Sequence, residues 1–209
     1  MTAIHDISAT DLLAAYKSKK LSPVEVVDAV IGHIDQWEPR IKALYAPDFG
    51  SARKAAAESE KRWQKGAPAG VLDGVPITIK ENIATKGVPV PLGTAATDLV
   101  PAASDAPAAA RVREAGAIIL SKTTMPDYGM LSSGVSSFHA TARNPWDVGK
   151  TPGGSSAGAA ASVAGGVTPI SLGTDGGGLV RLQPRNVRVF DAGAGLPGHA
   201  ITCLAVNAQ

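Results

Sequence analysis

The chain has one cysteine among its 209 residues, Cys203, which excludes an intramolecular disulfide and fits a reducing compartment. No apolar run approaches the length needed to cross a bilayer, so no membrane contact is expected. The formal charge is only +2, from dispersed lysines and arginines, too small and too scattered for a nucleic-acid surface. The N-terminus, MTAIHDISATDLL, lacks a basic flank followed by an apolar core; no signal peptide is expected and the cytoplasm is the default location. The four histidines, His5, His33, His139 and His199, show no metal-ligand spacing and have no cysteine or carboxylate partners in pattern. They are expected to be solvated or packed, and neither metal nor cofactor is called for. Gly149-Lys150-Thr151 looks like the end of a phosphate-binding loop. That pattern needs a glycine five residues earlier and finds Asn144, and Pro152-Gly153 would break the helix it requires.

What the chain does contain is 44% hydrophobic residues with Gly 23 and Pro 15, the composition of a soluble globular α/β chain, at a length that could bury one sizeable core or one and a half small ones. The densest stretch is TPGGSSAGAAASVAGGVTPISLGTDGGGLVR, residues 151–181. Its pattern predicts a small-residue helix over 157–164 opened by Ser155 and Ser156, a breaker at Gly165-Gly166, a short strand over 168–172, and a glycine loop over 173–178. A helix N-terminus presents unpaired N–H groups and the positive end of the macrodipole, a natural place for an anionic group or a developing oxyanion. Gly176, Gly177 and Gly178 allow close backbone approach and can point successive N–H groups into one concavity. Taken singly, such glycines are more often plain turns. A third element upstream shifts the balance. Val75-Pro76-Ile77-Thr78-Ile79-Lys80 is a β-branched run, hence a buried strand ending on a lysine. A lysine there either snorkels out or has a depressed pKa and a function.

Four segments carry a resemblance to a known family: Gly74-Val75-Pro76-Ile77-Thr78-Ile79-Lys80-Glu81-Asn82, Asn144-Pro145-Trp146-Asp147, Thr151-Pro152-Gly153-Gly154-Ser155-Ser156, and Gly173-Thr174-Asp175-Gly176-Gly177-Gly178. In order and spacing the chain resembles the amidase signature family. The resemblance implies an α/β fold, a mixed β-sheet layered with α-helices, incomplete here at the C-terminus. It implies a Ser-cisSer-Lys triad, with Lys80 as base and Ser155, 75 residues on, as the serine behind a cis peptide. Gly176, Gly177 and Gly178, with Gly129 and Ser156, fall on oxyanion and substrate-binding positions. The nucleophile's position falls on Leu179, and leucine has no oxygen with which to attack a carbonyl.

Around these motifs, residues 1–65 read as mainly helical. Ser8 and Asp11 precede one amphipathic pattern, and Ser22-Pro23 with Glu25 precedes another, carrying Val26, Val27, Val30, Ile31 and Ile34. Residues 41–46 read as a strand and residues 52–64 as an outer helix. Residues 66–181 hold the family motifs, with prolines marking long irregular connections around the lysine strand and an αβ unit over 108–120. After Arg181, residues 182–209 show neither periodicity nor family motifs. That tail is either a natural divergence or a frameshift: Arg185 to Arg188 can be encoded CGC AAC GTG CGG, which one base later reads Ala-Thr-Cys-Gly, close to the family's continuation.

The resemblance implies hydrolysis of a small-molecule amide through an acyl-enzyme. It leaves open the glutaminase-type A-subunit of the tRNA-dependent amidotransferase, which would need partner subunits, and a catalytically silent amide-binding scaffold. A homodimer is a further expectation.

Overall fold

The computed structural model describes residues 3–175, 179–183, 186–190 and 201–206, Asp175 and the last three stretches by their backbone alone. Helix α1 (Ala9–Lys17) starts where the Ser8 hydroxyl accepts the Asp11 N–H at 3.2 Å. Helix α2 (Pro23–Ile41) starts on a complete capping box: Ser22 accepts from the Glu25 N–H, and the Glu25 carboxylate accepts from the Ser22 N–H at 2.8 Å. Both orphan donors are thereby satisfied, and Pro23 occupies a first-turn position where no N–H is needed. The apolar stripe of α2 is buried, as its spacing predicts. Helix α3 (Phe49–Gln64), capped by Asp48, buries only Ala52, Ala56 and Ser59, in keeping with an outer helix.

Strand β1 is shorter than the sequence predicts. Helix α2 runs through Ile41, and the Glu38 carboxylate then accepts the Ala43 and Leu44 N–H groups at 3.1 and 3.0 Å. Those donors close the helix instead of entering a ladder, which leaves β1 as Leu44–Tyr45. The remaining elements are β2 (Pro76–Lys80), α4 (Pro107–Glu114), β3 (Ile118–Thr123), α5 (Ala157–Ala164), β4 (Ile170–Asp175), β5 (Leu179–Gln183), β6 (Asn186–Phe190) and β7 (Ile201–Val206). The tail that lacks sequence periodicity therefore contributes strands.

The sheet order is β1-β3-β2-β4-β7-β5-β6, and the sheet is mixed. β2 pairs parallel with both β3 and β4, whereas β1 with β3, β4 with β7 and β5 with β6 are antiparallel. Each β2 residue is buried, and the period of two divides them. Ile77 and Ile79 pack with Ala109 of α4 and with Ile170 and Leu172 of β4. Thr78 and Lys80 face the opposite side, where α5 lies. There Thr78 Oγ1 is within 2.8–3.2 Å of the hydroxyls of Ser162, Thr168 and Ser171. A second core joins α1, α2 and α3 to Ile118, Leu120 and Ala161. No helix among the described residues is long and apolar enough to cross a membrane.

Helix α5 owes its close seating to a glycine. A Cβ on Gly158 would collide with Ala43 O and lie 2.5 Å from Thr124 N, and the Gly158 N–H bonds to Thr124 O at 2.9 Å. Both obstacles are backbone, so neither can swing aside. Gly158→Ala should therefore destabilise the chain by about 1–3 kcal/mol, in the range of overpacked cores. The check is a lower urea midpoint at unchanged m-value.

Candidate active site

Lys80 ends β2 between two parallel neighbours and is completely buried. Its amine is satisfied by hydroxyls: Nζ lies 2.7 Å from Ser155 Oγ, 3.1 Å from Ser156 Oγ and 2.7 Å from Thr174 Oγ1. Burial drives its pKa down to about 8, and the negative charge of Glu81 partly opposes that fall. A lysine so placed gives up its proton far more readily than one in water.

The hydroxyl protons can be assigned by following their other bonds. Ser156 Oγ donates to Thr174 O at 2.9 Å and accepts from Thr174 N at 3.0 Å, so its only proton is committed and it must accept from Lys80. Thr174 Oγ1 also accepts from Asn82 Nδ2 at 3.5 Å. Ser155 has only the lysine as a partner among the described hydrogen bonds. When Lys80 is neutral, its lone pair can therefore take the Ser155 proton, and the Ser155 oxygen can receive another from outside. That is the geometry of a proton relay.

The local chain explains the placement of the serines. The Gly154–Ser155 peptide is cis. Gly154 passes so close to the next loop that a Cβ would lie 2.5 Å from Ser133 O and 2.7 Å from Leu131 O. Ser156 is the N-cap of α5, yet its hydroxyl does not cap the helix; it is turned to the Thr174 backbone. The first-turn N–H groups of α5 are thus left without a side-chain acceptor at Ser156. Gly129 sits beside this cluster, a Cβ built on it falling 3.6 Å from Ser155 Oγ. Gly176, Gly177 and Gly178 lie outside the described residues. Leu179 opens β5 and pairs with Phe190.

Three participants escape the sequence reading. Thr174 lies inside a family motif, but its contact with Lys80 depends on the β2–β4 pairing. Lys122, on β3 beside β2, is a second buried lysine; its Nζ donates to Ile83 O, and burial lowers its pKa to about 8, opposed by Glu81 and Asp105. His139 is packed and bonded to buried Glu81. A lysine at the last position of one strand and the penultimate position of the next is the one signal that could have flagged Lys122. A cavity of about 620 Å³ opens elsewhere, among His5, His33, Trp37 and Trp146, and includes none of the Lys80 cluster.

The Amidase family model matches residues 25–183. Among curated proteins, the chain is 37% identical over 181 residues to the A-subunit of glutamyl-tRNA(Gln) amidotransferase from Halorhodospira halophila and 38% over 184 residues to that from Chloroflexus aurantiacus. These alignments cover 87% and 88% of the chain but only 37% and 38% of the relatives, so the chain spans well under half their length. Among solved structures, a bacterial aryl acylamidase of the amidase signature family superposes with TM-score 0.76 at 35% identity, covering 86% of this chain and 38% of that one. A fatty acid amide hydrolase superposes with TM-score 0.80 at 27% identity, over 86% and 32%. With the buried lysine and the mixed sheet in place, these matches make the chain a member of the amidase signature family.

Proposed function

We propose that this chain carries the proton-transfer and amide-binding part of a hydrolase acting on carbon–nitrogen bonds of amides. The observation that supports it most is the Lys80 Nζ to Ser155 Oγ hydrogen bond of 2.7 Å, inside a cage of hydroxyls that strips water from the amine. In the proposed reaction a serine at position 179 attacks the amide carbonyl. Its proton passes to Ser155 as the Ser155 proton passes to Lys80. The tetrahedral oxyanion is held by backbone N–H groups of Gly176, Gly177, Gly178 and residue 179. Collapse breaks the C–N bond, the leaving amine takes the proton back through Ser155, and water then cleaves the ester by the same route. Gly129 and Ser156 border the substrate.

Leu179 supplies no nucleophile, so this chain as it stands should be silent in turnover. Losing a nucleophile costs on the order of a millionfold. Residues 1–181 would form the N-terminal portion of the catalytic domain, with 182–209 a divergent tail whose strands β6 and β7 join the same sheet. In a chain extended with the C-terminal half of a full-length relative, Leu179→Ser should restore amide hydrolysis and labelling by a serine-reactive fluorophosphonate. Equal turnover by the extended Leu179 parent would show that the nucleophile lies elsewhere.

The pH dependence follows from the lysine. Its proton is held below a pKa of about 8 and blocks its action as a base. Amide hydrolysis by the extended Leu179→Ser chain should therefore fall about tenfold for each pH unit below that value and level off above it. A profile flat from neutral pH upward would contradict Lys80 as the base. In the same background Ser155→Ala should abolish turnover while leaving substrate binding measurable by calorimetry.

A second reading is favoured by the curated relatives, which are A-subunits of an amidotransferase. In it the ammonia released from glutamine passes to a partner protein and not to water. Co-purification of the extended chain with the other amidotransferase subunits, and glutaminase activity dependent on them, would distinguish it. A scaffold that binds amides without turnover is the outcome if Leu179→Ser restores no chemistry but binding persists.

A further inference from the structure

The cavity of about 620 Å³ that lies apart from the Lys80 cluster is walled by aromatic rings. It opens where the 3-10 turn Ile4–Asp6, helix α2, the Pro145-Trp146 segment and the end of α5 meet. His5 from the turn and His33 from α2 stack with centroids 3.7 Å apart, and Trp37, one turn further along α2, lies 6.0 Å from His33. Trp146 adds a second indole, 85% exposed, whose apolar face nothing in the described chain covers.

The polar groups in the wall favour one sign of charge. Apart from the two histidines, Asp6 is the only lining residue that can be ionised, and its carboxylate receives no hydrogen bond among the described residues; His5 Nε2 lies 3.7 Å away. Ala164 also lines the cavity, and its carbonyl, in the last turn of α5, accepts no hydrogen bond among the described residues. The negative end of the α5 dipole falls at the same place. Gly165 O is 2.7 Å from His33 Nε2, and since a carbonyl only accepts, that nitrogen carries a proton. Burial, with the facing His33 ring adding to it, holds the His5 pKa below its ordinary value, so that ring is neutral near neutral pH. Trp37 shows what such a ring takes: the guanidinium of Arg40, which is exposed and outside the cavity wall, lies 5.2 Å from its centroid.

We propose that this cavity binds a small organic ammonium ion, its charge set toward Asp6 and the Ala164 carbonyl and its apolar body against Trp37 and Trp146. The volume is that of an ordinary small-molecule pocket. Among the described residues no group of three histidine, cysteine or carboxylate side chains is placed to hold a metal ion, and a bare ion would leave the indoles unused. An alkylated ammonium answers both features, because the rings attract its charge and cover its alkyl groups. The cavity shares no residue with the Lys80 cluster, so the proposal stands independently of the hydrolase reading.

The chain's three tryptophans give the test an internal control. Trp63 is outside the cavity, its indole N–H bonded to Asp73 O at 3.1 Å. The full chain is titrated with benzyltrimethylammonium at about pH 7.5, where an ordinary imidazole is mostly neutral, and the indole N–H resonances are followed by NMR. Benzyl alcohol and benzoate present the same ring with no charge and with the opposite charge. The Trp37 and Trp146 resonances should shift to saturation with a Kd of about a millimolar, Trp63 should stay in place, and neither comparison compound should saturate. Trp146→Ala should weaken binding, read at Trp37, by about fivefold, and Asp6→Asn by about threefold. Saturation by benzyl alcohol or benzoate over the same range overturns the proposal, as do a parallel shift of Trp63, undiminished binding in either folded variant, or no saturation at all. Trp146 is exposed, so its removal leaves the fold intact; should Asp6→Asn lose the resonance dispersion of a folded chain, Trp146→Ala decides alone on the same signs.

Discussion

An amine that has lost its water and kept its hydrogen bonds is the constraint on which the rest of this structure depends. Burial makes the ammonium form of Lys80 expensive. Three hydroxyls, from the loop ahead of α5 and from β4, supply the partners that a buried amine must have. Removing water without those partners would leave an unsatisfied polar group; supplying partners without burial would leave an ordinary lysine. Both conditions hold because β2 is central, with parallel neighbours on either side and helices over both faces.

The packing around that strand is divided with care. On one face Ile77 and Ile79 join α4 in an apolar cluster that anchors β2. On the other, Thr78 meets the buried hydroxyls of Ser162, Thr168 and Ser171, so each polar atom finds a partner within the layer beneath α5. This polar seam leads along β2 from Thr78 to Lys80. Small residues in α5 let the helix approach closely enough for the seam to close, and the contact of Gly158 with Ala43 O and Thr124 N is its tightest point. The same approach presents the N-terminus of α5 at the lysine.

Much of this was legible in the residues. The β-branched run ending in Lys80 announced a buried strand, the capping box at Ser22 announced α2, and the small-residue helix over 157–164 was bounded by its serines and glycines. These features are local: caps and periodicity act within a few residues. Where sequence reasoning fell short, long-range geometry had intervened. β1 shrank because Glu38 reaches forward to the N–H groups at 43 and 44. The Glu81–His139 bond joins residues 58 positions apart, along a path set by an irregular loop with no periodicity to read.

By itself, then, the sequence determined which elements form and which residue types stand at their ends: a lysine closing a strand and serines opening a helix. Only the tertiary structure decided what those groups do to one another. The lowered proton affinity of Lys80, the commitment of the Ser156 proton to Thr174, and the freedom of the Ser155 proton follow from desolvation and from hydrogen-bond partners brought in from β4, 94 residues away in the case of Thr174. Local propensity acts over a turn or a strand, whereas desolvation depends on everything packed within a few ångströms, whatever its distance along the chain.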